Sequence, residues 1–250
     1  MYPILEFDDS RDAIIEPSRI IKRNDAMPER CVLCFFQHVI QQVCGNSEPI
    51  HMLGSEIGPN PVYVIEHQGE RVAVVHPGLG APMAAAFLDE LIALGGRKFI
   101  ACGGAGVLDK SIDMGHVIVP TSAIRDEGTS YHYLPPAREV NAHEGGVNAI
   151  KAVLTEQGVP FDAGKTWTTD AIYRETREKA AKRKAEGCIT VEMESAAFFA
   201  VAEFRGVAFA QMLYGGDNLD AQEWDARGWQ WNVPVRERLF WLSVDAVLRI

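Results

Sequence analysis

The sequence lacks several features that would place it in a large class of proteins at once. No stretch approaches the roughly 18–20 consecutive apolar residues of a membrane span. Residues 1–11 carry acidic side chains where a secretory signal has a basic start and an apolar run. Internal repeats and Gly/Ser-rich linkers are also absent. We therefore expect a cytoplasmic protein with no membrane partner, built as a single domain over residues 1–250.

Positive charge is in short supply. The chain has 24 Lys+Arg against 34 Asp+Glu, a formal net charge of −10 with His neutral. Because a general nucleic-acid binder needs a basic surface, we expect no nucleic-acid partner. Hydrophobic residues make up 47% and charged residues 23%, which is typical of a globular protein with a full core. A small anionic ligand remains compatible with this balance, since a local pocket can bind it.

Cysteine is scarce, and the five residues make an odd number, which indicates reduced thiols. Cys31 and Cys34 form a CxxC motif, which could indicate a zinc or redox site. No second pair of ligands follows, and the surrounding CVLCFFQHVI is apolar. The spacing predicts that both sulfurs pack on one face of a helix spanning 28–44. We expect no cofactor and no metal.

Strand and helix patterns alternate along the rest of the chain. Segments 62–66 and 71–76 predict a β-hairpin, and a strand, glycine-rich loop, helix and strand follow as a βαβ unit that ends in the loop 103–106. The remaining predicted elements are a strand at 117–120, helices at 143–157 and 174–186, a strand at 188–192, a helix at 193–205, a strand at 207–213 and a helix at 234–250. This order predicts an α/β fold: a twisted, mixed, mostly parallel sheet flanked by helices.

Ligands of such sheets bind at the carboxyl ends of the strands, so four segments there are candidates: 78–80, 103–106, 192–194 and 215–217. Met83 occupies the third glycine position of a dinucleotide motif, which argues against that class. The glycines could equally form tight turns. The two carboxylates of 192–194 could stabilise a helix start or accept sugar hydroxyls.

Three further features are open from the residues alone. Asp217 in GGDN could be an ordinary turn residue. The polar and aromatic loop 125–133 indicates no particular chemistry. The charged helix 174–186 is typical of a solvated face or a mobile lid.

The motifs taken together are more specific. GLGAPM, FIACGGAGVLD, MGHVIVPTSAIRDEGTSYHY, VEMESAAF and GGDN resemble, in order and spacing, the nucleoside phosphorylase family of purine and uridine phosphorylases and their hydrolase relatives. The resemblance runs from about Ala13 to Leu213. It implies cleavage of the N-glycosidic bond of a ribonucleoside, as in purine salvage, with phosphate as nucleophile and co-substrate. It also implies a homo-oligomer, a dimer or a hexamer.

The resemblance assigns roles residue by residue. Met193 and Glu194 match positions that hold the ribose, and the charge of Glu194 would favour the positive charge that develops on the sugar. Asp217 matches the catalytic acid that protonates a purine leaving group, a role that burial would favour. Tyr173 matches an aromatic position beside the base. Gly103 and Gly104 are the other expected base-binding residues.

At the phosphate site the resemblance assigns Arg19 and Gly80. This chain also departs from the family there. Ala101 stands where phosphorylases usually carry arginine, Gly104 stands in place of threonine or serine, and Val64 aligns with an arginine lent by a neighbouring subunit. Because phosphate needs bidentate donors, these losses leave water as a competing nucleophile. The alternatives are a nucleoside hydrolase or a non-catalytic nucleoside-binding protein; His76 and His132 are possible substitutes for the arginines.

The segment expected to read the base also departs from the family. Uridine-specific members have a glutamine and an arginine there, whereas this chain reads Arg174-Glu175-Thr176-Arg177. With Asp217 present as well, a purine is favoured over uridine.

Overall fold

A tight hairpin at one edge of the sheet illustrates how local sequence shapes the fold. In the computed structural model, which describes residues 2–229 and 232–250, strands β3 (Asn60–His67) and β4 (Glu70–Val75) pair antiparallel. The turn between them places Gln68 and Gly69 at φ values of 52° and 79°. Two consecutive positive φ values match the twist of the flanking strands, and a glycine adopts this conformation readily. The predicted hairpin is confirmed.

Strand β5 (Lys98–Val107) is central to the sheet. It pairs parallel with β1 (Arg30–Cys34) on one side and with β10 (Ala208–Asn218) on the other. Beyond β1 the sheet continues through β4 and β3 to the short edge strand β2 (His51–Leu53). The βαβ unit is therefore present, with β1 inserted between its two parallel strands.

The other half of the sheet closes on itself. Each strand pairs with the next in the order β5, β9, β8, β6, β10 and back to β5, and the short strand β7 pairs with β6. The remaining strands are β6 (Val117–Asp126), β7 (Glu139–Asn141), β8 (Phe161–Thr169) and β9 (Cys188–Glu192). This ring brings the carboxyl ends of β5, β9 and β10 together.

Helices cover both faces of the sheet. Helices α3 and α6 pack on one face, where Phe198 of α6 stacks on Phe209 with ring centroids 4.6 Å apart, and α2, α4 and α7 pack on the other. Residues 2–229 and 232–250 contain seven α-helices: α1 (Pro17–Ile20), α2 (Gln37–Cys44), α3 (Ala81–Leu94), α4 (Glu144–Glu156), α5 (Arg177–Ala185), α6 (Ser195–Arg205) and α7 (Val233–Val247). Within the described residues, no helix is both long and apolar enough to cross a membrane.

The predicted fold class, an α/β fold with a mixed sheet flanked by helices, is confirmed. Parallel pairings are fewer than expected, because five of the ten strand pairings between described residues are antiparallel.

The predicted helix over 28–44 is wrong in its first half. Residues Arg30–Cys34 form strand β1, and the helix begins at Gln37. Cys31 packs in the core on one face of the sheet and Cys34 in the core on the other, so the two sulfurs do not share a face. A short apolar run buried on both sides is typical of a central parallel strand, and periodicity alone does not distinguish it from a helix.

The glycine segments 103–106 and 215–217 are also not loops. They lie inside β5 and β10, whose pairing continues from Gly103 opposite Leu213 to Ala105 opposite Gly215. A Cβ added at Gly104 would lie 3.2 Å from the Tyr214 ring. A larger residue at position 104 would crowd this ring, and the backbone of residues 103–106 faces the space described next.

Candidate active site

A cavity of about 440 Å³ lies at the carboxyl ends of β5, β9 and β10, a size that suits a small molecule. One side is formed by the backbone of residues 103–106. The side chains around it are Phe35, Phe36, Leu79, Ile172, Glu175, Val191, Glu192, Met193, Glu194, Gln211, Asp217, Trp229 and Arg236. All four candidate segments therefore contribute to the cavity, segment 78–80 through Leu79 and segment 215–217 through Asp217.

Glu192 and Glu194 have different hydrogen-bond partners and different roles. Both oxygens of Glu192 are already bonded: Oε2 accepts the N–H groups of Glu194 and Ser195 at 2.7 and 2.6 Å, and Oε1 accepts the Thr168 hydroxyl at 2.7 Å. These bonds satisfy backbone donors at the start of α6 and favour a negative charge at that end of the helix. The helix-stabilising interpretation therefore holds for Glu192.

Glu194 is the carboxyl that is left to bind a ligand. Its Oε1 accepts the N–H of Gly80 at 2.6 Å, and the side chain is almost fully buried at the cavity beside Met193. Burial, followed by the nearby charge of Glu192, raises the pKa of Glu194 to about 8. The Gly80 N–H opposes this shift. A polar ligand that donates hydrogen bonds to Glu194 would replace the hydration that the carboxyl loses on burial.

Asp217 lies where β5 reaches Gly106, since a Cβ on Gly106 would be 3.4 Å from its Oδ1. The indole N–H of Trp224 donates to Asp217 Oδ2 at 2.7 Å. Glu175 faces the same region, and burial together with the charge of Asp217 raises the pKa of Glu175 to about 7. Glu175 can therefore hold a proton near neutral pH, which gives this end of the cavity a proton source.

Several side chains of helix α5 contact neighbouring segments of the chain. Arg177 donates to the backbone oxygens of Ala221 and Gln222 and so anchors the segment that carries Trp224. Farther along α5, Arg183 bonds Asp126 at 2.9 Å and Lys184 bonds Asp220 at 2.8 Å. These contacts join α5 to neighbouring segments, and both the solvated face and the mobile lid stay predictions for this helix.

Tyr173 is 95% exposed and lies in an adjoining groove with Thr176 and Trp224, outside the 440 Å³ cavity. Its neighbour Ile172 lines the cavity instead. Gly103 and Gly104 both line the cavity, and their assignment to the base stays a prediction.

The residues expected to bind phosphate do not line the 440 Å³ cavity. Arg19 lies on α1, with 62% of its side chain exposed and a 3.2 Å ion pair to Asp12, and it does not line the cavity. The N–H of Gly80 is used by Glu194. His76 packs edge-on against Phe35 and accepts the Gly78 N–H through Nδ1.

A larger cavity, of about 720 Å³, lies under the N-terminal segment and contains His132. Its buried charges are already paired: Arg205 bonds Asp89 at 2.7 Å and Glu16 at 2.8 Å. The loop 125–133 beside it is held internally, because Arg125 donates to the Ser130 hydroxyl at 2.8 Å. We therefore place the site at the smaller cavity.

Sequence reasoning missed four side chains at the candidate site: Glu175, Trp224, Trp229 and Arg236. A signal for two of them was present, since three of the five tryptophans fall within residues 224–231. Such a cluster between a strand and the last helix is unusual on a solvated surface.

Comparison with known proteins identifies the family of this chain. A sequence model of the Phosphorylase superfamily matches residues 29–248, and the chain belongs to that superfamily. Arg19 precedes the matched region. Its assignment to phosphate therefore lacks support from the family match as well as from its position in the structure.

Individual relatives are more distant. A guanosine phosphorylase of Halorubrum lacusprofundi is 26% identical over 155 residues, covering 62% of this chain and 64% of that protein. A DeoD-type purine nucleoside phosphorylase of Exiguobacterium sp. is 28% identical over 160 residues, covering 61% and 65%. The match thus spans less than two thirds of these relatives. A uridine phosphorylase structure from Vibrio fischeri ES114 superimposes with a TM-score of 0.76 at 20% identity, covering 92% of this chain and 95% of that one.

Proposed function

We propose that the protein is a nucleoside phosphorylase that favours purine ribonucleosides. Phosphate attacks C1′ of the ribose, the N-glycosidic bond breaks with its electron pair passing to the base, and ribose 1-phosphate and the free base leave. The observation that carries this proposal is the presence, in one cavity, of a buried carboxyl suited to a sugar and a carboxyl pair suited to a leaving base. The resemblance to nucleoside phosphorylases assigns Glu194 and Asp217 to these two roles, and the family match supports that resemblance.

Glu194 binds the ribose in this scheme. With a pKa of about 8, the carboxyl of Glu194 is largely protonated in the free protein at neutral pH. Two sugar hydroxyls that donate short hydrogen bonds to it would favour its carboxylate form. As the glycosidic bond lengthens, positive charge develops on the sugar ring, and a buried carboxylate stabilises it more than it stabilises the neutral substrate. The Gly80 N–H holds Glu194 in place at 2.6 Å.

Asp217 supplies the proton to the departing base. A neutral purine is a better leaving group than its anion, so a proton delivered as the bond breaks lowers the barrier. Glu175 keeps a proton in this region near neutral pH, while Trp224 orients the Asp217 carboxyl.

Base preference follows from the same end of the cavity. A purine offers a ring nitrogen that can receive the proton, whereas the glutamine and arginine of uridine-specific members have no counterpart here. Arg177 is the arginine of this chain that could take the place of the uridine-reading arginine. It donates instead to the backbone oxygens of residues 221 and 222. Relatives named for guanosine and for purine nucleosides support this preference.

We also propose a cytoplasmic homo-oligomer. Large apolar side chains remain exposed at the cavity mouth, including Leu79 and Ile172. A second copy covering this face would bury them.

The first test is base release from a panel of inosine, guanosine, adenosine and uridine in phosphate buffer, followed by chromatography. We expect at least one purine ribonucleoside to be cleaved faster than uridine. Faster cleavage of uridine would overturn the purine preference, and calorimetric binding without any turnover would support the binding-protein alternative.

A further inference from the structure

We propose that Arg236 binds the attacking phosphate, taking the place of the arginines that this chain lacks. The proposal rests on the proposed function and names the residue that holds its co-substrate. Arg236 is the one lysine or arginine among the described residues that line the 440 Å³ cavity. Four carboxyls line the same cavity, so a phosphate entering it needs this cation.

The guanidinium of Arg236 is held in a fixed orientation. It lies over the rings of Phe36, Trp229 and Tyr214, with its Cζ 5.2, 5.4 and 5.9 Å from their centroids. Its Nε donates to the Tyr214 hydroxyl at 3.0 Å, and that hydroxyl donates to the Trp229 backbone oxygen at 3.0 Å. Stacking of this kind orders the planar fork before a ligand arrives.

The charge of Arg236 lacks a protein counter-ion. No carboxylate in the described part of the chain pairs with it, and Nη1 has no hydrogen-bond partner there, whereas Nη2 makes one long contact of 3.4 Å to the Trp229 oxygen. Arg236 is also the fourth residue of α7, near the positive end of the helix dipole. A cation is unfavourable at that end, and a bound anion would relieve it.

The position of Arg236 suits the nucleophile. On β5, Gly104 lies beside Trp229, which the guanidinium covers, and Gly106 lies beside Asp217. These glycines are two residues apart on one strand, a separation of roughly 7 Å. An attacking group and a leaving base on opposite faces of one sugar carbon need two such sites a few ångströms apart.

The alternatives within the chain are less suitable. Position 101, where phosphorylases usually carry arginine, is a fully buried alanine on β5. Arg19 is paired with Asp12 outside the cavity. His38 lies near Arg236, but burial and then the Arg236 charge lower the pKa of His38, so it contributes a neutral ring at neutral pH.

The test compares Arg236→Gln with Arg238→Gln, which removes the same charge from an exposed side chain two positions along the helix. Phosphate and nucleoside KM values are measured for each, and inorganic phosphate binding is measured by calorimetry without nucleoside. We expect Arg236→Gln to raise the phosphate KM roughly 10- to 100-fold, the scale of a lost charge-assisted hydrogen bond. The nucleoside KM and the Arg238→Gln enzyme should be unchanged.

Arg236→Lys keeps the charge without the fork and should give an intermediate phosphate KM, which preserves the test if Arg236→Gln does not fold. Equal phosphate affinity in wild type and Arg236→Gln would overturn the proposal. So would an equal loss of phosphate and nucleoside binding, which indicates a structural role. A separate titration with a nucleoside 5′-monophosphate distinguishes the phosphate source: Arg236-dependent binding of the nucleotide but not of inorganic phosphate would also overturn it.

Failure of this proposal is distinguishable from failure of the proposed function. If wild type cleaves nucleosides at a rate independent of phosphate, phosphorolysis is wrong. If cleavage requires phosphate and Arg236→Gln retains the wild-type phosphate KM, phosphorolysis stands and the role of Arg236 is wrong.

Discussion

Asp217→Asn is expected to slow release of a purine base by roughly 10²–10⁴-fold, the usual contribution of a general acid. The asparagine keeps the size of the side chain and its carbonyl oxygen can still accept the Trp224 indole N–H, but it has no acidic proton to give to the base. Rates of guanosine or inosine cleavage, measured with saturating phosphate, give the comparison.

Two controls make this result specific. A 7-methylpurine nucleoside carries a base that is already cationic and needs no proton to leave, so its cleavage should be nearly unaffected by Asp217→Asn. Asp225→Asn changes an exposed carboxyl in the same segment and should leave both substrates unaffected. An equal loss for both substrates in Asp217→Asn would contradict the acid role.

Glu194→Gln is expected to lower kcat by roughly 10²–10³-fold, the cost of removing one electrostatic stabiliser from a transition state. The amide keeps one oxygen that can accept the Gly80 N–H, while the second acceptor oxygen and the negative charge facing the developing oxocarbenium ion are lost. Steady-state kinetics on the preferred purine nucleoside measures the effect. A wild-type kcat would contradict the assignment of Glu194.

The same variant should be more stable than wild type at high pH. Folding raises the pKa of Glu194 to about 8, so the folded state binds the proton more tightly than the unfolded chain. The stability that this proton gives wild type is present below the ordinary carboxyl pKa and is lost as pH rises to about 8. Glu194→Gln escapes this loss, so its advantage in melting temperature should grow between pH 5 and 8.

Glu192→Gln is the contrasting variant. It should destabilise the protein by about 1–3 kcal/mol, because the NH2 group of the amide cannot accept the hydrogen bonds that one carboxylate oxygen of Glu192 receives. A stabilised Glu192→Gln together with a destabilised Glu194→Gln would show that the two roles are reversed.

Elements with local signals could be predicted from the sequence. A glycine marks the hairpin turn at Gln68 and Gly69, and a proline and a glycine mark the two ends of the helix between Pro82 and Leu94. These residues act on the backbone within a few positions. The motif VEMES also placed Met193 and Glu194 at the cavity. Cys31 and Cys34 show the limit: their apolar run fits a buried helix or a buried strand, and pairing with residues more than sixty positions away decides the outcome.

Arg19 and Arg236 show why the proposed phosphate-binding residue could not be predicted from the sequence. Arg19 was matched on a short stretch, with no information about what surrounds it in space. Arg236 lies in an amphipathic helix, where an arginine is usually a solvated residue. Its contacts with Phe36, Tyr214 and Trp229 come from three separate parts of the chain and exist only in the folded structure.

The identity of the sugar product tests the central claim most directly. Purified protein is incubated with the preferred purine nucleoside, with and without inorganic phosphate, and the sugar product is resolved by phosphorus NMR and a reducing-sugar assay. Phosphorolysis predicts one ribose 1-phosphate for each base released and little release without phosphate. Free ribose formed at the same rate in both buffers would contradict it and identify the protein as a hydrolase.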